Sequence, residues 1–307
     1  MTEPATQDAG TTSGIRHLSP GQRAWRRFLS NRPAVVASVF VLVLFAIVLI
    51  WPWIAPYRPD SLSDAQFQAP TRQHWFGTDV HGRDLLTRIF FGARISLLVG
   101  AVGAAVSLVI GVVWGAVAGY LGGRWDNLMM RIVDILYSLP SIVFVIVLIT
   151  TLEGLLKQWL GGKTRLIFLF VGLGAVSWLT MARIVRGQVL SLRTRSFVEA
   201  SRVLGATHSR ILFRHILPNV YGVIIVYLTL TVPSIILYES FLSYLGLGIQ
   251  PPQASWGSLI AEGAAQINSV RIYWWLIVYP ASVLVLTLLA LNFVGDGLRQ
   301  AWEVKDS

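Results

Sequence analysis

Four side chains of metal-binding type fall close together in this 307-residue chain: His74, Asp79, His81 and Asp84. Ligation by such groups follows recognisable spacings, such as a helical HExxH or paired Cys and His. Neither spacing occurs here, and Gly77 and Gly82 between them favour tight turns. A turn-forming, structural role is the expectation, with no metal site. Cysteine is absent, so there is no disulfide framework and no thiolate metal site. Holding ATP in a phosphate loop requires GxxxxGK(S/T), which the sequence lacks. The five histidines are scattered, and no Ser, His and Asp assemble into a nucleophilic site. The chain reads as a non-enzyme.

A second group of residues has the pattern of a docking element. The stretch Ser191–Asn219, SLRTRSFVEASRVLGATHSRILFRHILPN, is too long and too regular for a passive turn. Phe197, Ala200, Ser201 and Leu204 recur at helical spacing and define one apolar face. Gly205 then interrupts, as a helix end would. A second short helical stretch follows through Ile211, Leu212 and Ile216, and Pro218 is expected to stop it. Two short helices at an angle, surrounded by arginines, are therefore expected. Such an element either lies on anionic lipid or docks a partner. Small Ala200 and Ser201 beside Glu199, with Gly205 beyond, permit close approach by another protein and are left unexplained by lipid alone.

The elements that position these residues are set by composition. The chain is 54% hydrophobic and only 13% charged, with a mean hydropathy of +0.63, against about 25% charged in a soluble domain. It must use lipid as solvent. A spanning helix takes roughly 20 mostly apolar residues, and six stretches meet or approach that length: Val35–Trp53, Ile95–Leu121, Ile132–Leu152, Leu166–Ile184, Val220–Ser243 and Trp274–Val294. Gly100, Gly103, Gly111, Gly115, Gly172 and Gly174 read as sites of close helix packing. Pro140, Pro233 and Pro280 lie inside apolar runs and mark kinks, either lining a cavity or simply packed. Residues 1–31 form a polar tail containing Arg16, Arg23, Arg26 and Arg27 without an apolar signal region, so the first span is expected to be retained.

The net charge of +10 is explained by topology rather than by nucleic acid. With the N-terminus inside, 16 Lys and Arg fall in inner segments and 9 in outer ones, as the positive-inside rule requires. Six spans return the C-terminus to the cytoplasm. Trp51, Trp53, Trp274, Trp275 and Tyr279 then fall near outer span ends. Asp134, Glu239 and Asp296 lie near span ends and read as structural pairs. No span has a central chain of ionisable residues, which argues against proton-coupled transport.

At Glu199-Ala200-Ser201, Gly205 and Leu217-Pro218 the loop resembles the EAA loop of importer permeases of the ATP-binding-cassette class. That loop runs Glu-Ala-Ala, three residues, Gly, nine residues, then Ile-x-Leu-Pro. Ser201 replaces the second Ala, and His215 occupies the usual Ile position with Ile216 beside it. The segments RRFLSNRPAVVAS (Arg26–Ser38), HWFGTDVHGRDLLTR (His74–Arg88), MARIVRGQVLSL (Met181–Leu192), RHILPN (Arg214–Asn219), FLSYLGLGIQPPQASWG (Phe241–Gly257) and LNFVGDGLR (Leu291–Arg299) are similar to the C-type subunits of oligopeptide permeases. Together they cover nearly everything from residue 22 to residue 303.

This resemblance implies an all-α membrane protein with the type I ABC importer permease fold, its transmembrane domain spanning residues 32–307. It implies oligopeptide import by alternating access, across a bacterial cytoplasmic membrane with both termini inside. The implied partners are a homologous B-type permease, two cytoplasmic ATPases that bind ATP and Mg, and an extracytoplasmic peptide-binding protein. Membrane lipid surrounds the spans; no cofactor is expected in this chain. Phe197, Glu199, Ala200, Ser201, Leu204, Gly205, Leu217 and Pro218 would couple to an ATPase. Asp79, Arg83 and Asp84 would meet the binding protein. A dipeptide or nickel–chelate importer is the nearest alternative, and a membrane-anchored scaffold is the alternative of another class.

Overall fold

The computed structural model describes residues 20–160, 164–268 and 271–302. Residues 1–19 of the polar tail, 161–163, 269–270 and 303–307 lie outside the described residues. Helices α1 (Pro20–Ser30), α2 (Arg32–Ile54), α3 (Leu85–Leu121), α4 (Gly123–Ser138), α5 (Ser141–Leu160) and α6 (Thr164–Leu192) make the first part of the chain. Then follow α7 (Ser196–Val203), a single turn α8 (His208–Arg210), a π-helical stretch Ile211–Ile216, α9 (Leu217–Tyr244), α10 (Trp256–Ala264) and α11 (Trp275–Trp302). Among the described residues the only strand-type pairing is an isolated bridge between Thr78 and Asp84. Among the described residues, five helices are long and apolar enough to cross a membrane, or six if the bent pair α4 and α5 counts as one.

Three boundaries differ from those expected. The apolar run Ile132–Leu152 is not one helix: α4 and α5 meet at 88°. Pro140 has no N–H and pushes the residue before it out of helical geometry, and Leu139 is extended there (φ −78°, ψ 137°). Nor does Pro218 stop the helical stretch before it. The π-helical stretch widens the turn, with Leu217 N–H donating to Leu212 C=O. Pro218 then occupies the first turn of α9, where a missing N–H is tolerated. A continuous helical path runs from His208 to Tyr244. Finally, the last part of the expected tail is the helix α1, docked through buried Ala24 and Phe28 onto Ala34 and Ala301.

α3 has 37 residues, roughly 55 Å at 1.5 Å per residue, and therefore outruns a hydrocarbon core of about 30 Å. Its central stretch lies against α6. An added Cβ at Gly115 would sit 2.3 Å from the Ala182 carbonyl oxygen, and one at Gly111 would sit 2.6 Å from Met181 Cβ. The two backbones touch there, which is how membrane helices gain dispersion contact without a hydrophobic driving force. Pro233 and Pro280 lie inside α9 and α11, and both are buried against neighbouring residues.

The two ends of the bundle differ. One end gathers the start of α3, the end of α2, α10 and the start of α11 around Leu85, Ile89, Trp256 and Trp275. The other gathers Met181, Val185, Val189, Val198, Ile211 and Ile216 from α6, α7 and the π-helical stretch. Gly222 of α9 abuts the ring of Trp302 at the end of α11, so α1, α7 and the end of α11 share this second end.

Candidate functional site: the loop between α6 and α9

α6 ends in a turn in which Arg193 N–H donates to Val189 C=O and Arg195 N–H to Leu192 C=O. Arg195 is extended (φ −78°, ψ 146°) and starts α7. Of the eight residues of α7 only Val198 is buried, within the cluster that also holds Ile211, Ile216 and Val185. Phe197, Glu199 and Ala200 are exposed and Ser201 is half-buried, its hydroxyl donating to Phe197 C=O at 2.8 Å. The face expected to be apolar is real, but it turns away from the bundle. Its tip is the most apolar part: Val203 is 88% and Leu204 86% exposed. Leaving such side chains in water forgoes roughly 1.5–3 kcal/mol each, which makes the tip a candidate for contact with another surface.

Gly205 ends α7 by a definite mechanism. Its φ of +77° is left-handed, its N–H donates to Arg202 C=O, and Ala206 N–H donates back to Ser201 C=O. These two bonds are a Schellman cap, in which any side chain at the left-handed position adds strain. The space around Gly205 is open, with no atom within 4 Å of an added Cβ, so another surface can approach its backbone. Leu217 is buried and anchors α9, whereas Pro218 is exposed.

The loop is tied to the bundle by polar bonds that sequence spacing does not reveal. The Arg193 guanidinium donates to the carbonyls of Gly119 and Tyr120 at 3.4 and 3.3 Å, at the end of α3. Tyr120 Oη and His208 Nδ1 share a hydrogen bond of 2.8 Å. Between α7, α8 and the end of α3 lies a cavity of about 670 Å³ lined by Tyr120, Arg193, Glu199, Arg202 and His208. Among the described residues Glu199 makes no ion pair, and it lines this opening. Nearby, Arg186 grips Asp126 of α4 with two bonds of 2.5 and 2.7 Å. Arg183 holds Asp134 at 2.7 Å while lying 4.1 Å over the Tyr137 ring. Asp134 is thus a structural partner.

At the opposite end, Asp79 and Asp84 are each 4% exposed. Asp79 Oδ1 accepts the N–H groups of His81 and Arg83, at 2.8 and 3.0 Å. Its Oδ2 accepts from Arg83 Nε and Arg88, both at 2.7 Å. Arg88 continues to Glu262 of α10. Asp84 caps α3 through Thr87 N–H at 2.8 Å and holds His74 Nδ1 at 2.9 Å. Only His74 and Asp84 of the four metal-type side chains meet, and no group of three or more His, Cys, Asp or Glu residues is assembled for a metal among the described residues. Glu239 is buried, accepting the hydroxyls of Ser243 at 2.6 Å and Ser96 at 3.1 Å; Asp296 is exposed on α11.

Comparison with known proteins places this arrangement. Residues 111–303 match the family described as binding-protein-dependent transport system inner membrane component. Residues 19–72 match the N-terminal TM domain of oligopeptide transport permease C. The oligopeptide transport system permease protein OppC of Escherichia coli (strain K12) is 51% identical, over 93% of this chain and 91% of that one. OppC of Haemophilus influenzae is 46% identical over 93% and 88% of the two chains. The dipeptide transport system permease protein DppC of Bacillus subtilis is 45% identical over 94% and 87%. A solved structure of the inward-facing MetNI methionine ABC transporter superposes with a TM-score of 0.55 at 20% identity, over 68% of this chain and 94% of that one, and shows the fold alone. The fold is that of a type I ABC importer permease, and the chain belongs to the family of binding-protein-dependent transport system inner membrane components, in its oligopeptide permease C branch.

Proposed function

We propose that this chain is one of two membrane subunits of an ATP-driven importer, and that it carries oligopeptides into the cell. The observation that carries the proposal is the outward-facing tip Val203-Leu204-Gly205, apolar, open and fixed to the bundle by the single buried side chain of α7, Val198. A cytoplasmic ATPase seats this tip, with Phe197, Glu199, Ala200, Ser201 and Leu204 against its surface and Gly205 allowing close approach. Leu217 and Pro218 carry the displacement into α9. Because Val198 lies in one cluster with α6 and the π-helical stretch, a push on α7 moves packed helices as bodies rather than bending a free loop. Closure of two ATPases around ATP and Mg then alternates the access of a cavity shared with a homologous B-type permease, through unequal ligand affinity of the two states.

The excess of Lys and Arg at the α7 end supports a cytoplasmic position for that end and for both termini. A peptide-binding protein docks at the opposite end. Asp79, Arg83 and Asp84 serve this contact by bracing residues 55–84, since their side chains are already engaged internally. Oligopeptides are favoured over dipeptides as cargo by the match of residues 19–72 to the N-terminal TM domain of oligopeptide transport permease C, together with the 51% identity to the Escherichia coli OppC. The test is uptake of labelled tetrapeptides and dipeptides by cells lacking the gene and complemented with it. Restored tetrapeptide uptake is expected. Dipeptide uptake alone would redirect the cargo, and no dependence of any uptake on the chain would leave a scaffold.

A further inference from the structure

α1 has three faces. Ala24 and Phe28, four residues apart, are buried against Ala34 and Ala301. Trp25 and Leu29, also four apart, form a second apolar stripe that stays 59% and 51% exposed. Arg23, Arg26 and Arg27 fill the remaining arc, and Arg32 follows at the start of α2; all four are exposed. No acidic residue lies between Pro20 and Pro33. Among the described residues none of the four arginines forms an ion pair. The helix cannot drift from the membrane surface, because only Asn31 separates it from the spanning helix α2. Asn31 Oδ1 caps α2 through Ala34 N–H at 3.3 Å, and its Nδ2 donates to Gln300 of α11 at 3.0 Å. A depression of about 620 Å³ opens beside this junction, lined by Arg27, Ser30, Asn31, Arg32 and Gln300.

We propose that α1 and this depression form a binding surface for an anionic phospholipid in the leaflet from which α2 starts. Headgroup phosphates meet the arginine arc and, in the depression, Arg27 and Arg32, while the hydrocarbon of the leaflet meets the separate stripe of Trp25 and Leu29. An apolar stripe flanked by arginines that pair with no carboxylate among the described residues, held level with the first turn of a spanning helix, is the chemistry of an interfacial helix on anionic lipid. A protein partner would need a matching acidic groove lying within the membrane interface, whereas the leaflet supplies negative charge and hydrocarbon at that depth.

The native chain has no cysteine, so Leu29→Cys can carry a fluorophore uniquely in this subunit, within the assembled transporter in nanodiscs. Quenching by brominated phosphatidylglycerol should exceed that by brominated phosphatidylcholine. The combined Arg23→Gln, Arg26→Gln and Arg27→Gln change should lower this preference by on the order of ten- to a hundredfold. The corresponding Arg→Lys protein, which keeps the charge, should retain most of it. Equal quenching by the two lipids overturns the proposal. So does a preference unmoved by Arg→Gln, or a position 29 shielded from both lipids by another protein subunit.

Discussion

The hydroxyl of Tyr120, in the last turn of α3, meets Nδ1 of His208, in the first turn of α8, at 2.8 Å across 88 positions of sequence. This bond and the Arg193 guanidinium join the loop between α6 and α9 to α3, the helix that also lies against α6. Tyr120→Phe removes the bond while keeping the ring. The expected result is a transporter that assembles normally but whose peptide-stimulated ATP hydrolysis falls several-fold relative to its basal rate. Unchanged stimulation would mean that the loop transmits its motion through Val198 alone.

Arg186 and Asp126 form a two-bond pair between α6 and α4, with side-chain exposures of 31% and 7%. Charged hydrogen bonds of this kind contribute about 1.5–3 kcal/mol. Asp126→Asn should therefore lower the melting temperature of the purified permease pair measured by scanning fluorimetry. The same change at Asp134, whose pair with Arg183 is exposed at 63% and 38%, should shift it far less.

Two glycines of neighbouring helices should respond oppositely to alanine. At Gly115 the added Cβ would lie 2.3 Å from a backbone oxygen of α6, which cannot rotate away. Gly115→Ala should force α3 and α6 apart and greatly reduce the yield of folded protein. At Gly187, inside α6, an added Cβ meets nothing within 4 Å. Gly187→Ala should be neutral or slightly stabilising through helix propensity. Comparing membrane yield and melting temperature of the two variants checks the packing directly.

Asp79 and Asp84 are braces by geometry, and a change there should first loosen residues 55–84. Asp84→Ala removes the N-cap of α3, at a cost of about 1 kcal/mol, and frees His74. The expected readout is faster proteolysis of the 55–84 segment, with weaker binding-protein docking as a consequence. Intact protease resistance combined with lost docking would instead identify the carboxylate as a direct contact.

Local signals were legible in the sequence and non-local ones were not. Gly205 was readable as a helix end because a Schellman cap involves only Ser201 to Ala206. The spacing of Phe197, Ala200, Ser201 and Leu204 revealed a face, but periodicity carries no direction, and the face points outward. By sequence Pro218 reads as a stop, because proline usually ends a helix. A π-helical turn just before it allows the opposite, and hydropathy does not register that turn. The break at Pro140 had its signal in Ser138-Leu139-Pro140, masked by apolar residues on both sides. Arg186 with Asp126, and Glu239 with Ser96, join residues far apart in sequence, so only tertiary packing brings them together. The tail was read as polar by composition, although Ala24 and Phe28 already had the four-residue spacing of a docked helix.

In the proposed mechanism the tip of α7 seats on an ATPase and transmits its motion. Since the native chain lacks cysteine, Leu204→Cys provides a single reactive site in this subunit, at a residue 86% exposed in the isolated chain. In the assembled transporter, a short bifunctional thiol–amine reagent should link it to an ATP-binding subunit, with a yield that changes when ATP is added. A cysteine at position 204 that stays freely reactive toward a bulky soluble thiol reagent, and forms no such link with or without ATP, would show that α7 does not seat on the ATPase.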